Sequence, residues 1–158
     1  MRNVRILVPA VFLCGTSFLH AGLIAAWTFD GEGTRVPNRV ELTDLYGVQA
    51  DLQLSGARRE PGYRGLAAAF DGKEQHATGG ANAYFFTPRT VTVEAWISYE
   101  KRTGRQFIYN RERSVRLFVG GAGRLHFQLS LDGRWAGDWL VSERQVPEKQ
   151  WTHVAGTY

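Results

Sequence analysis

The chain has 158 residues with a formal charge of +4; 13% are aromatic, 18 are glycine and only one is methionine. That length suffices for one domain with a real core, and glycine-rich turns between short apolar runs suit an all-β protein better than a helical one. Two of the 19 basic residues, Arg2 and Arg5, stand at the extreme N-terminus, and the remaining 17 face 15 acidic residues with no basic block, so nothing argues for a nucleic-acid partner.

Met1–Ala21 reads as a secretory leader. Arg2 and Arg5 give a positive start, Ile6–Leu13 an apolar run, and Ala21 a small residue for cleavage. The competing reading is a membrane anchor from Ile6 to Trp27. Pro9, Gly15, Thr16, Ser17 and His20 interrupt that run, and Leu23–Phe29 serves better as a strand. Phe12-Leu13-Cys14 lacks the small residue that a lipoprotein site places before its cysteine. Cys14 is the single cysteine, so a domain over residues 22–158 uses no disulfide although its compartment would permit one. Removal of the leader implies an exported protein, extracellular, periplasmic or on the cell surface, with no membrane span in the mature chain.

In Gly22–Asp30, Leu23, Ala25, Trp27 and Phe29 share one face and Ile24, Ala26 and Thr28 the other, as side chains alternate along a strand. Gly31-Glu32-Gly33 ends it in a turn. Val48–Leu54 alternates as a second short strand. Ser55–Gly65, with three arginines, Pro61 and two glycines, reads as a loop. Leu66–Asp71 is an apolar strand, since the flanking glycines leave too few residues for a stable helix. His76–Phe86 reads as irregular. Thr90–Tyr99 is the clearest strand: Val91, Val93, Ala95, Ile97 and Tyr99 line one face, and Thr92, Glu94, Trp96 and Ser98 the other.

Gln106–Asn110 and Ser114–Val119 are further short strands, and Gly120-Gly121-Ala122-Gly123 is a hairpin loop. Arg124–Leu131 points Leu125, Phe127, Leu129 and Leu131 inward and His126, Gln128 and Ser130 outward, with His126 facing solvent. Trp135–Ser142 is less regular. In Trp151–Tyr158, Val154 and Tyr158 point one way and Trp151, His153 and Ala155 the other. About eight strands at roughly ten-residue spacing predict an all-β, two-sheet antiparallel β-sandwich of jelly-roll type. The last strand has no turn or partner after it, so the sandwich over 22–158 is expected to be incomplete at its C-terminus.

Three segments resemble one known family in order and spacing. Ala25, Trp27, Phe29, Asp30 and Gly33 resemble an "A-x-W-x-F-D-E-G" strand; Ala69, Phe70, Asp71 and Gly72 an "A-L-x-F-D-G" strand; Trp151–Tyr158 the "W-x-H-V-A-x-T-Y" strand. The chain is similar to the laminin G-like, concanavalin A-type jelly-roll domains of bacterial secreted proteins. Thr90–Tyr99 resembles that family's "F-T-V-x-A-W-I" strand. The resemblance implies a non-catalytic binding module for a glycan or an extracellular protein, or a spacer beside a hydrolase. It also implies a structural calcium with Asp30 and Asp71 as the carboxylates that match the family's motifs. The plainer role for both is that of turn residues bonding nearby backbone N–H groups.

Laminarinase-type enzymes share the jelly roll, so glycoside hydrolysis needs a test. Retention of configuration requires two carboxyl groups about 5–5.5 Å apart. Glu94 and Glu100 are six positions apart on an extended run, roughly 20 Å at ~3.3 Å per residue. They do not flank one bond, and no catalytic residue is assigned. His76, His126 and His153 lack zinc-ligand spacing. Sugar sites set aromatic rings against apolar sugar faces with polar groups around them. Trp96, among Thr92, Glu94 and Ser98, and Trp135 and Trp139, near Arg134 and Asp138, are the candidate ligand-binding residues. The alternative for each is burial under loops or against the core. Trp27 and Trp151 read as core or core rim.

Overall fold

The computed structural model describes residues 4–7, 13–14, 22–23, 25–40, 51–79, 90–101, 103–131, 134–135 and 140–158. All regular structure among them is β-strand. In chain order the strands are β1 (Val4–Leu7), β2 (Leu13–Cys14), β3 (Gly22–Leu23), β4 (Arg35–Val36) and β5 (Leu52–Ser55). Then come β6 (Arg58–Pro61), β7 (Leu66–Phe70), β8 (His76–Gly79), β9 (Thr92–Ser98) and β10 (Gln106–Arg111). The last five are β11 (Val115–Val119), β12 (Arg124–Leu131), β13 (Arg134–Trp135), β14 (Leu140–Gln145) and β15 (Thr152–Thr157). Every pairing between these strands is antiparallel. The architecture is the expected all-β sandwich of jelly-roll type.

One layer is a five-stranded sheet in the order β15-β9-β1-β7-β6. The other has β10-β11-β12 with β13 and β14 both paired to β12, and a smaller sheet β4-β5-β8 and the pair β2-β3 complete the set. The core lies between the layers. From β9 it receives Val93, Ala95 and Ile97, flanked by Val91 and Tyr99, and from the opposing sheet Val115, Leu117, Val119, Phe127 and Leu129. This is the period-two alternation read in the sequence, each strand giving every second side chain to the interior. Trp27 is buried and Trp151 packs half-buried on the core, as expected.

Four local expectations need correction. Arg58–Pro61, inside the stretch read as a loop, is an edge strand closed onto β7 by the Gly62–Gly65 turn, where the Gly62 N–H donates to the Gly65 carbonyl at 2.9 Å. Charged residues and a terminal proline suit a sheet edge, which has no second neighbour to satisfy. His76–Gly79, read as irregular, pairs with β5 over four residues; the rest of that stretch, from residue 80, lies outside the described residues. Around Trp27 the alternation holds for Ala25, Trp27 and Phe29, all buried, but Leu23 is exposed. There the ladder reduces to one bridge between Trp27 and Asn38. Asn38 substitutes for it with its side chain: its Oδ1 accepts the N–H groups of Ala26 at 2.9 Å and Val40 at 3.2 Å. Finally, Tyr158 is exposed while Val154 is buried, although Tyr158 and Val91 still exchange two backbone hydrogen bonds.

The C-terminal strand finds its partner far back in the chain. β15 pairs with β9 over six positions, from Thr152 opposite Ile97 to Thr157 opposite Thr92. That register places His153 beside Trp96 and Ala155 beside Glu94 on the outer face. On the inner face Gly156 approaches the opposing sheet so closely that a Cβ there would meet the Phe127 ring at 2.3 Å.

Candidate functional site

The outer face of β9 carries Thr92, Glu94, Trp96 and Ser98, all half-buried. None of these can turn inward, because the intervening valine, alanine and isoleucine positions fill the core. β15 adds His153 and Thr157 to the same face by its register. The Thr92 and Thr157 hydroxyls lie 3.1 Å apart and share a hydrogen bond. The His153 Nε2 sits 3.5 Å from a Glu94 carboxylate oxygen, a diagonal cross-strand contact.

A third element, the β6–β7 turn, adds one more residue to this face. The Tyr63 ring lies flat on Trp96, centroids 3.9 Å apart and planes 8° from parallel. The His153 ring leans against Trp96 from the other strand at 5.4 Å and 52°. Such ring pairs contribute roughly 0.5–1.5 kcal/mol beyond the area they cover. Tyr63 nonetheless stays 45% exposed. The result is an aromatic platform of Tyr63 and Trp96, rimmed by an imidazole, a carboxylate and two hydroxyls. Tyr63 escapes a reading by periodicity because it sits in a turn, and only the fold brings that turn over β9.

Trp135 belongs to a different surface. Its partner strand is β12, where it stands opposite Ser130. The Arg116 guanidinium caps its ring at 3.8 Å from the centroid and lies 6.0 Å from the Phe107 ring. Arg116 also donates to Asn110 Oδ1 at 2.8 Å and to a Glu112 carboxylate oxygen at 2.7 Å. The guanidinium therefore holds one face of Trp135, a cation–π contact in a fixed fork. Trp96 and Trp135 thus sit on separate sheets and do not form one site. Trp139 lies outside the described residues.

His126 departs from its expected solvent-facing role. On the outward side of β12 it stacks on Phe118 at 4.8 Å and 9°. Burial, then the nearby Arg105 and Arg124 charges, hold its imidazole below its ordinary pKa, so it is neutral at pH 7. Nothing in this arrangement suggests a metal ligand.

Asp30 and Asp71 each accept a backbone N–H, Asp71 from its own turn and Asp30 from a segment remote in sequence. Asp30 Oδ1 accepts the Leu66 N–H at 2.8 Å, tying the first turn to the start of β7. Asp71 Oδ1 accepts the Lys73 N–H at 2.9 Å, two residues on, as an Asx turn. A calcium site draws on six to eight oxygens. Among the described residues, no group of three or more His, Cys, Asp and Glu side chains could hold a metal ion. Also among them, no helix is long and apolar enough to cross a membrane.

Residues 71–158, more than half of the chain, match the family described as the concanavalin A-like lectin/glucanases superfamily, of laminin G type. The matched region contains Glu94, Trp96, Trp135 and His153, and excludes Tyr63. No curated protein and no solved structure matches the chain.

Proposed function

The chain belongs to the concanavalin A-like lectin/glucanases superfamily, and from that premise we propose that it is an exported, non-catalytic carbohydrate-binding module. Its ligand surface is the platform of Tyr63 and Trp96. One observation carries this reading: the flat Tyr63–Trp96 stack, with Tyr63 still 45% exposed, on a sheet face rimmed by Glu94, His153, Thr92 and Thr157. Aromatic faces take the apolar side of a sugar ring, and the polar rim supplies donors and acceptors for its hydroxyls. Glu94, beside His153 in the rim, takes the role of a hydrogen-bond acceptor for the sugar rather than that of a catalytic carboxylate.

The test is binding of the protein to a panel of immobilised polysaccharides, followed by calorimetry on a soluble oligosaccharide from whichever is retained. Tyr63→Ala and Trp96→Ala are expected to weaken binding at least tenfold. Trp135→Ala, on the other sheet, should bind as the wild type does. Retention that survives both platform substitutions, or release of reducing ends abolished by Glu94→Gln, would defeat the proposal.

A protein-interaction role is the second reading, and a specific surface favours it. Phe107, Leu140 and Val141 are exposed on the second sheet. Phe107, Phe118, His126 and Val141 stand in one cross-strand row over β10, β11, β12 and β14. Phe107 and Val141 are the exposed members of that row, Phe118 being buried and Leu140 lying opposite Phe127 on the other face of β14; exposed apolar residues on one sheet face are a common mark of a protein contact.

A further inference from the structure

The outer face of the second sheet carries a row that crosses four strands: Phe107 on β10, Phe118 on β11, His126 on β12 and Val141 on β14. Its two ends are open, with Phe107 42% and Val141 41% exposed. Its middle is closed, since Phe118 is buried and stacks on His126 at 4.8 Å. Neighbouring strands lie about 4.8 Å apart, so three spacings set the open ends roughly 14 Å from each other.

Arginines surround the middle of this row. The Arg105 guanidinium lies 5.6 Å over the Phe118 ring, and that of Arg116 6.0 Å over Phe107. Arg124 stands two positions before His126 on β12, hence on the same face. Arg105 and Arg124 are both exposed. Among the described residues, the carboxylates between positions 105 and 145 are Glu112 and Glu143. Neither offsets those two charges: Glu112 is taken up by Arg116 at 2.7 Å, and Glu143 is followed on β14 by Arg144. The face is therefore apolar at its ends and cationic between them. Aromatic residues and arginine are also the types enriched where proteins meet.

We propose that this face docks an acidic α-helix of a partner protein, one with two apolar residues three turns apart and two carboxylates between them. The proposal rests on the protein-interaction reading of this face and adds the partner's chemistry to it. A helix fits where an extended segment does not. A segment laid across the row lies over side chains rather than beside a strand edge, so its N–H and C=O groups have no ladder to join, and a helix pairs its own. On a helix, residues i and i+11 share a face and lie roughly 16 Å apart, enough to reach Phe107 and Val141. Residues i+4 and i+7 fall between them on that face, where two glutamates meet Arg105 and Arg124. In an extended segment the same anchors are about four residues apart, with only one position between them on the same side.

The test titrates the full chain into a fluorescent 18-residue peptide of alanine and glutamine, with leucine at positions 4 and 15 and glutamate at positions 8 and 11, followed by anisotropy. A second peptide has glutamine in place of both glutamates. The glutamate peptide is expected to bind saturably, one to one, and the glutamine peptide roughly fivefold more weakly, as two exposed ion pairs would give. Arg105→Gln combined with Arg124→Gln should remove that difference. Phe107→Ser combined with Val141→Ser should weaken both peptides. Burial, then the Arg105 and Arg124 charges, hold the His126 pKa down. Followed by NMR, that pKa should be higher with the glutamate peptide than with the glutamine peptide, because the added carboxylates offset the two arginines. Equal binding of the two peptides, lost in the serine variant, would overturn the acidic partner and leave a protein contact. Absence of binding by either peptide would overturn both. Retention on a sulfated polysaccharide that needs the two arginines but not Phe107 and Val141, or dimerisation that needs Phe107 and Val141, would give the face to another occupant and overturn the proposal as well.

Discussion

Gly156→Ala tests how the two layers meet beneath the candidate site. Gly156 pairs with Val93 on the inner face of β15. A Cβ built there lies 2.3, 2.5 and 2.9 Å from three atoms of the Phe127 ring. Ordinary contacts between such carbons are about 3.5–4.0 Å, so the ring must retreat by more than 1 Å. Phe127 is only 4% exposed and is part of the common core, which leaves it little room to do so. Overpacking of this kind costs about 1–3 kcal/mol, and ring atoms rather than a flexible chain end place it near the top of that range. For a domain of this size that is a fall in Tm of roughly 4–10 °C. The assay is thermal and urea unfolding of wild type, Gly156→Ala, Phe127→Ala and the double variant. Phe127→Ala alone should cost about 3–5 kcal/mol by leaving a cavity. The double variant should cost no more than Phe127→Ala, because the added methyl enters the vacated space. A Gly156→Ala protein that melts with the wild type, or two costs that simply add, would refute the reasoning.

Three further outcomes are expected. His126 has a folded pKa below its ordinary value of 6.5; below about pH 6.5 the unfolded chain binds the extra proton first, so stability falls with pH until the folded-state pKa is passed. Unfolding from pH 8 to 5 should show this fall in the wild type and a smaller one in His126→Gln. Arg59 donates to the carbonyls of Phe29 at 2.8 Å and Arg35 at 3.2 Å, and also to that of Gly33; Arg59→Lys cannot reproduce this fork and should cost about 1–2 kcal/mol in urea unfolding, whereas equal stability would show that the three contacts are dispensable. The buried Ser130 Oγ has no hydrogen-bond partner among the described residues; Ser130→Ala should therefore be neutral or stabilising by up to about 1 kcal/mol, and a loss of stability would reveal a partner for the hydroxyl.

Alternation along the chain was enough for the fold class and for the strands β7, β9, β10, β11, β12 and β15. Val91, Val93, Ala95, Ile97 and Tyr99 alternate with polar residues, and all five are buried. Such alternation is a local property, because a strand's two faces are set by its own backbone geometry. Trp96 was legible as an outward aromatic residue for the same reason. Arg58–Pro61 was not legible as a strand: an edge position removes the demand for apolar residues, so only the pairing with β7 reveals it. Partners distant in sequence were equally out of reach. Tyr63 meets Trp96, His153 meets Glu94, and Phe127 fills the place of a Gly156 side chain, each only after the chain has crossed between strands remote in order. Arg116 likewise decides what Trp135 offers to a ligand, by capping its ring from a neighbouring strand. Periodicity says which way a side chain points; only the packing of the sheets says what stands in front of it.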